Sequence, residues 1–109
     1  MSEVSLFPLK TVLYPGGFLP LRIFETRYLD MVSKCLRRNE YFAVVMIDDN
    51  NEMHISNTTQ VGTLAKIVDW NQGEDGLLQI TSIGFDRVSC NAYRRQSDGL
   101  LLADVTIIE

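Results

Sequence analysis

The chain has 109 residues, of which 46% are hydrophobic and 22% charged, and its formal net charge is −4. That length fits one domain, able to bury roughly 60–70% of its unfolded surface without covalent staples. The composition excludes a disordered chain, and the acidic balance weighs against nucleic acid or an anionic membrane as the partner of the whole surface.

The start, Met1-Ser2-Glu3-Val4, lacks the basic segment and long apolar run of a signal peptide. No stretch approaches the ~18 apolar residues of a membrane-spanning helix. Two cysteines, Cys35 and Cys90, are too few for a disulfide framework. Reduced thiols in a cytoplasmic chain are therefore expected. Asn57-Thr58-Thr59 matches a glycosylation sequon, which carries no weight without a secretory signal.

Val4 to Leu13 is apolar at both parities and reads as a strand buried on both faces, with Pro8 at an edge or bulge. Pro15-Gly16 is a turn: proline presets φ and glycine accepts a positive one. Pro20 pushes Leu19 toward extended geometry, so Leu19 to Ile23 is expected to be a strand. Thr26 to Arg38 is the clear helix, with Tyr28, Met31, Val32, Cys35 and Leu36 at three- and four-residue spacing. Lys34, Arg37 and Arg38 complement its C-terminal dipole, and Asn39 is a natural stop.

Tyr41 to Ile47 is continuously apolar, a strand covered on both sides. Asp48 to Gln60 is polar and reads as a long loop or weak hairpin. Val61 to Trp70 and Leu77 to Cys90 form a hairpin across Asp75-Gly76. In the return strand Ile83 and Phe85 are apolar at odd positions, Val88 and Cys90 at even ones. That switch requires a one-residue slip, and Gly84 is placed for a bulge that bends the sheet. Asn91 to Arg95 is a short strand or arm. Asp98-Gly99 is the next turn, and Leu100 to Ile108 the last strand, with Leu101, Ala103, Val105 and Ile107 on one face. The expected fold is mostly β with one α-helix, a curved antiparallel sheet forming a pseudo-barrel with the helix plugging one end.

Several stretches in order resemble the Lon N-terminal domain family. They are Phe7-Pro8-Leu9, Tyr14-Pro15-Gly16-Gly17, Leu19-Pro20-Leu21-Arg22-Ile23-Phe24-Glu25 with Arg27-Tyr28, Val61-Gly62-Thr63-Leu64-Ala65-Lys66-Ile67, Asp75-Gly76, Gly84-Phe85-Asp86-Arg87-Val88 and Ala103-Asp104-Val105. The family often has Arg-Phe after that glycine, whereas here Phe85 precedes Arg87. The resemblance implies a PUA-like β subdomain spanning residues 1–109 and a substrate-recognition role beside proteolysis. Family members usually continue into a helical subdomain, which is absent from these residues, so the sequence reads as a fragment or a short form.

Catalytic chemistry finds little footing. No Gly-x-x-x-x-Gly-Lys-Ser/Thr loop is present, and the serine–lysine peptidase segment of Lon has no counterpart. Cys35 lies on the apolar helix face, where a buried thiol is inert. His54 stands alone in a polar loop. A calcium loop starting at Asp48 would need glycine at Met53 and glutamate at Thr59, so Asp48-Asp49-Asn50-Asn51-Glu52 reads as a turn cluster. No cofactor and no metal is expected.

The sequence thus points to a non-enzymatic module that binds protein or peptide segments, unfolded or apolar ones. Phe18, Leu19 and Phe24 would supply apolar area, and Arg22, Glu25 and Arg27 polar rim contacts. Trp70 and Tyr93 are weaker candidates for such a patch. The alternatives are an RNA-binding PUA-like module using Arg94 and Arg95, which the acidic balance disfavours, and a structural domain dimerising through Leu101, Val105 and Ile107. A membrane partner is not expected.

Overall fold

The computed structural model describes residues 3–47 and 60–108. Six strands and one helix follow in the order β1 (Glu3–Leu9), β2 (Phe18–Ile23), α1 (Thr26–Arg38), β3 (Phe42–Met46), β4 (Gln60–Gln72), β5 (Leu78–Arg95) and β6 (Leu101–Ile107). The sheet order is β2-β5-β4-β3-β1-β6, and β6 also pairs with β5. The five strands β5, β4, β3, β1 and β6 therefore close into a ring. β2 stands outside it, paired to the first half of β5.

The expected mostly-β curved sheet with one helix is present. One pair departs from the antiparallel expectation: β1 and β3 run parallel, from Ser5↔Phe42 to Leu9↔Met46. Between them the chain makes a crossover through β2 and α1, which returns β3 in the direction of β1. Pro8 is tolerated because β6 pairs only with Glu3 to Ser5, so at Pro8 the second edge of β1 is open. β1 stops at Leu9, short of the expected Leu13. Leu13 is nonetheless buried, held where the Thr63 hydroxyl donates to its carbonyl at 2.9 Å.

Two apolar clusters lie on opposite faces of the same strands. β3 shows why its sequence is apolar throughout. Phe42 and Val44 join one cluster; Ala43 and Val45 join the other. The first cluster packs the outer barrel wall and β2 against the helix through Phe7, Phe42, Tyr28, Met31, Val32 and Cys35. Phe7 carries the helix contact, its ring 4.6 Å from Tyr28 and 6.2 Å from Phe42. The second cluster fills the barrel with Val4, Leu6, Leu64, Val88, Cys90, Ala103 and Val105. Fully burying one of these valines or leucines contributes roughly 1.5–3 kcal/mol relative to leaving it exposed. Leu36, expected on the apolar helix face, is instead exposed.

The helix ends as its sequence indicates. Asn39 is left-handed (φ 53°, ψ 49°), and its N–H and that of Glu40 both reach the Cys35 carbonyl. Glu25 occupies the N-cap in extended geometry, without a side-chain cap.

β5 belongs to both halves of the molecule because it is bulged. Phe85 and Asp86 together oppose Leu64, between Gly84↔Ala65 and Arg87↔Thr63. The extra residue moves inward-facing positions from one cluster to the other: Ile80 faces the helix side, Val88 and Cys90 the barrel interior. The bulge falls beside Gly84 as expected, although its side chains are not the expected pair. Ile83 is half-buried and Phe85 exposed. A second irregularity leaves Val68 without a partner in β4. A third sets Ala92 and Tyr93 against Ala103, with Ala92 at φ 53°.

Candidate functional site

Beyond the ring, β2, the first half of β5 and the end of β4 form a three-stranded wing. Its register places Phe18, Ile83 and Lys66 in one row, Pro20, Thr81 and Asp69 in the next, and Arg22, Gln79 and Asn71 in the third. Alternation along a strand sets these residues on one face, while Leu19, Leu21 and Ile80 pack toward the helix cluster. Phe18 is 71% exposed. The apolar row continues beyond the wing. The Lys66 ammonium lies over the Tyr41 ring at 5.7 Å, and Tyr41 meets Phe85 edge-on at 5.3 Å. The second and third rows border a cleft of about 370 Å³. At the wing tip Arg22 is ion-paired with Asp75. The Leu77 N–H, with Arg22 beside it, holds the Asp75 carboxyl below its ordinary range.

The six residues singled out from the sequence do not form one patch. Leu19 is half-buried against the helix cluster. Phe18 belongs to the open face of the wing. Arg22, Phe24, Glu25 and Arg27 gather at the other end of β2, around a cleft of about 240 Å³ shared with Phe7, Pro8, Ile23 and Tyr28. β2 advances roughly 17 Å between these ends, at about 3.3 Å per residue.

Most of the polar members already have intramolecular partners. Arg27 donates to the Gly99 carbonyl at 3.1 Å, pairs with Glu25 at 3.3 Å and stacks on the Tyr28 ring. It joins the helix start to the β5–β6 turn, where Arg95 reaches the same carbonyl. Sequence reasoning missed Ile83 and Lys66 in the row of Phe18, and Tyr41 and Phe85 beyond Lys66. Their relation depends on cross-strand register and on the bulge, which local pattern does not report.

The other candidates are also placed. Arg94 pairs with Glu3 and Asp104, and those carboxylates, Asp104 foremost, raise its already high pKa. Arg38 lies 3.9 Å from Glu40. Trp70 is exposed; Tyr93 is half-buried, its hydroxyl donating to the Cys90 carbonyl. Leu101 and Val105 are buried inside the barrel, so the proposed dimer face is already filled by the molecule's own core; Ile107 alone of that set is exposed. Cys35 and Cys90 are both buried, and desolvation pushes each thiol up to about 11. His54 and the Asp48–Glu52 cluster lie outside the described residues. Among the described residues, no three metal-ligating side chains converge, and no helix is long and apolar enough to cross a membrane.

A sequence profile of the ATP-dependent protease La (LON) substrate-binding domain matches residues 3–109. The chain belongs to this Lon substrate-binding domain family. It is similar to Lon protease 1 of Bdellovibrio bacteriovorus, 32% identical over 97% of this chain and 14% of that protein. It is also similar to the protein cereblon of Gallus gallus, 29% identical over 89% of this chain and 22% of that protein. The crystal structure of a Lon N-terminal domain protein from Xanthomonas campestris superposes with a TM-score of 0.86 at 35% identity, covering 100% of this chain and 61% of that one. The N-terminal domain of the Mycobacterium avium complex Lon protease gives 0.74 at 16% identity, over 99% and 55% respectively, a likeness of fold. The chain thus spans under a quarter of the curated relatives it matches.

Proposed function

We propose that this chain is a non-catalytic protein-binding module that takes unfolded or exposed apolar segments of other proteins. The observation that carries this is the open face of the wing, where exposed Phe18 shares a row with Ile83 and Lys66, and Lys66 in turn leads to Tyr41 and Phe85, beside polar rows. Contiguous exposed apolar area with a polar margin is what a protein-recognition surface needs. Membership of a substrate-binding domain family supports the same reading. Phe18 is its apolar anchor on the wing. Exposed Phe24, at the cleft beside Pro8, offers a second contact, while Arg22, Glu25 and Arg27 shape the margins through their own pairs.

A face of this size gives micromolar-class affinity, which several linked copies would raise by avidity. An RNA-binding role through Arg94 is disfavoured by the ion pairs that already occupy it.

The test is a fluorescence anisotropy titration against a permanently unfolded protein, its folded form and a short structured RNA, each at low and high salt. Weak, salt-insensitive binding of the unfolded protein alone is expected. Binding of the RNA alone, lost at high salt, overturns the reading.

A further inference from the structure

The wing offers a partner two routes, its strand edges or its face, and both edges carry obstacles. Pro20 stands mid-strand in β2, where its missing N–H removes a donor from the open edge. On the other side β4 leaves β3 after Phe42↔Ala65, so its edge opens from Lys66 onward. There Val68 bulges out of register. The Asp69 carboxylate then accepts the Trp70 N–H at 2.9 Å, taking up a donor an incoming strand would need. Bulges, proline and edge-facing carboxylates are how sheets resist strand addition.

The face carries the cleft along its second and third rows, and its dimensions admit one helix. Three strands span roughly 10 Å at about 4.8 Å spacing, close to the diameter of one α-helix with its side chains. The rows of Phe18, Pro20 and Arg22 cover roughly 13 Å along the strands, about nine residues of helix. Chemistry is graded along that length, from the apolar Phe18–Ile83 row to the Gln79 and Asn71 amides. The two ends also differ in charge. Arg22 is matched by Asp75 at the polar end, whereas the Lys66 ammonium at the apolar end rests over the Tyr41 ring.

We infer that the wing face receives a short amphipathic helix of a partner protein, with apolar anchors over Phe18 and Ile83 and an acidic side chain in its first turn facing Lys66. This rests on the protein-binding reading and specifies the form in which the segment is held. An acid in the first turn also suits the helix's own dipole.

The probe is a 14-residue peptide with a helical apolar stripe and two N-terminal glutamates, locked by an i,i+4 staple. Its control is a peptide of the same composition rewritten in strict alternation. Heteronuclear NMR titration reads both against the wild-type chain and Lys66→Glu. The stapled helix should bind, shifting the amides of Phe18, Thr81, Ile83 and Lys66, and Lys66→Glu should weaken it at least tenfold. Equal or tighter binding of the alternating peptide, shifts elsewhere, or unchanged affinity of Lys66→Glu overturns the inference. A titration with unfolded protein runs beside it. If that protein binds and the stapled helix does not, the helix is wrong and the protein-binding role stands; if neither binds, both fall.

Discussion

A Cβ on Gly84 would overlap the carbonyl oxygen of Tyr14. The Pro15-Gly16-Gly17 turn lies directly on β5 at this point, with Gly16 N–H donating to the Gly84 carbonyl at 2.8 Å and Gly84 N–H to the Gly17 carbonyl at 2.9 Å. The same contact holds Leu13 over the helix-side core. Gly84→Ala must therefore lift the turn, at a cost of about 1–3 kcal/mol for overpacking and lost pairing. Gly16→Ala meets no neighbour and suffers only its φ of +83°, about 1 kcal/mol. Urea midpoints should rank wild type above Gly16→Ala above Gly84→Ala. The reverse order for the two variants would contradict this account of the turn.

Phe18 and Phe24 stand at opposite ends of β2, so their contributions to binding should be separable. Phe18→Ser is expected to weaken capture of an unfolded protein tenfold or more, with an unchanged melting temperature because the ring is largely exposed. Phe24→Ser should cost less, and the double variant should show additive losses. Strong coupling between the two in titration calorimetry would show that one patch, not two, is engaged.

The Ser82 hydroxyl is fully buried between β2 and β4 and finds no hydrogen-bond partner among the described residues. A desolvated, unpaired hydroxyl costs about 1–3 kcal/mol. Ser82→Ala is thus expected to be neutral or to stabilise by up to about 2 kcal/mol in equilibrium unfolding. A clear loss of stability would mean that the hydroxyl is paired in solution.

Burial sets a pH dependence through the two thiols. Their pKa rises from 9.0 to about 11 on folding because desolvation disfavours the thiolate, with Glu40 adding to the effect at Cys35. A raised folded pKa gives stability that is complete below the unfolded value and lost as pH climbs through the folded one. The window is therefore pH 9 to 11, with a loss of up to about 3 kcal/mol per thiol. Replacing both cysteines by alanine should flatten the stability profile across that window. A profile that falls equally steeply in the double variant would assign the loss to other groups.

Much of the framework was legible locally. The helix announced itself through Tyr28, Met31, Val32 and Cys35, and its end through Asn39. The two-faced burial of β3 followed from its unbroken apolar run. The bulge beside Gly84 was inferred from a change of parity, although Phe85 turned out to lie outside the core. The candidate site was less legible. Phe18 and Phe24 are six positions apart in sequence and look like neighbours, yet an extended strand separates them. Ile83 and Lys66 are remote in sequence and lie beside Phe18, because antiparallel register brings them there.

Sequence alone determined which segments are strands, where the helix begins and stops, and that the chain is a Lon-like β domain. The strands and the helix rest on periodicity, turn chemistry and dihedral preference, which are properties of neighbouring residues, whereas the Lon-like character rests on the resemblance of motifs spread along the chain. Tertiary structure decided the parallel pairing of β1 with β3, the closure of the ring through β6 and β5, and the pairing of Arg94 with Glu3 and Asp104. It also decided which exposed aromatic side chains share a surface. These depend on contacts between residues far apart in the chain, whose partners are fixed by bulges, register and the crossover rather than by local preference.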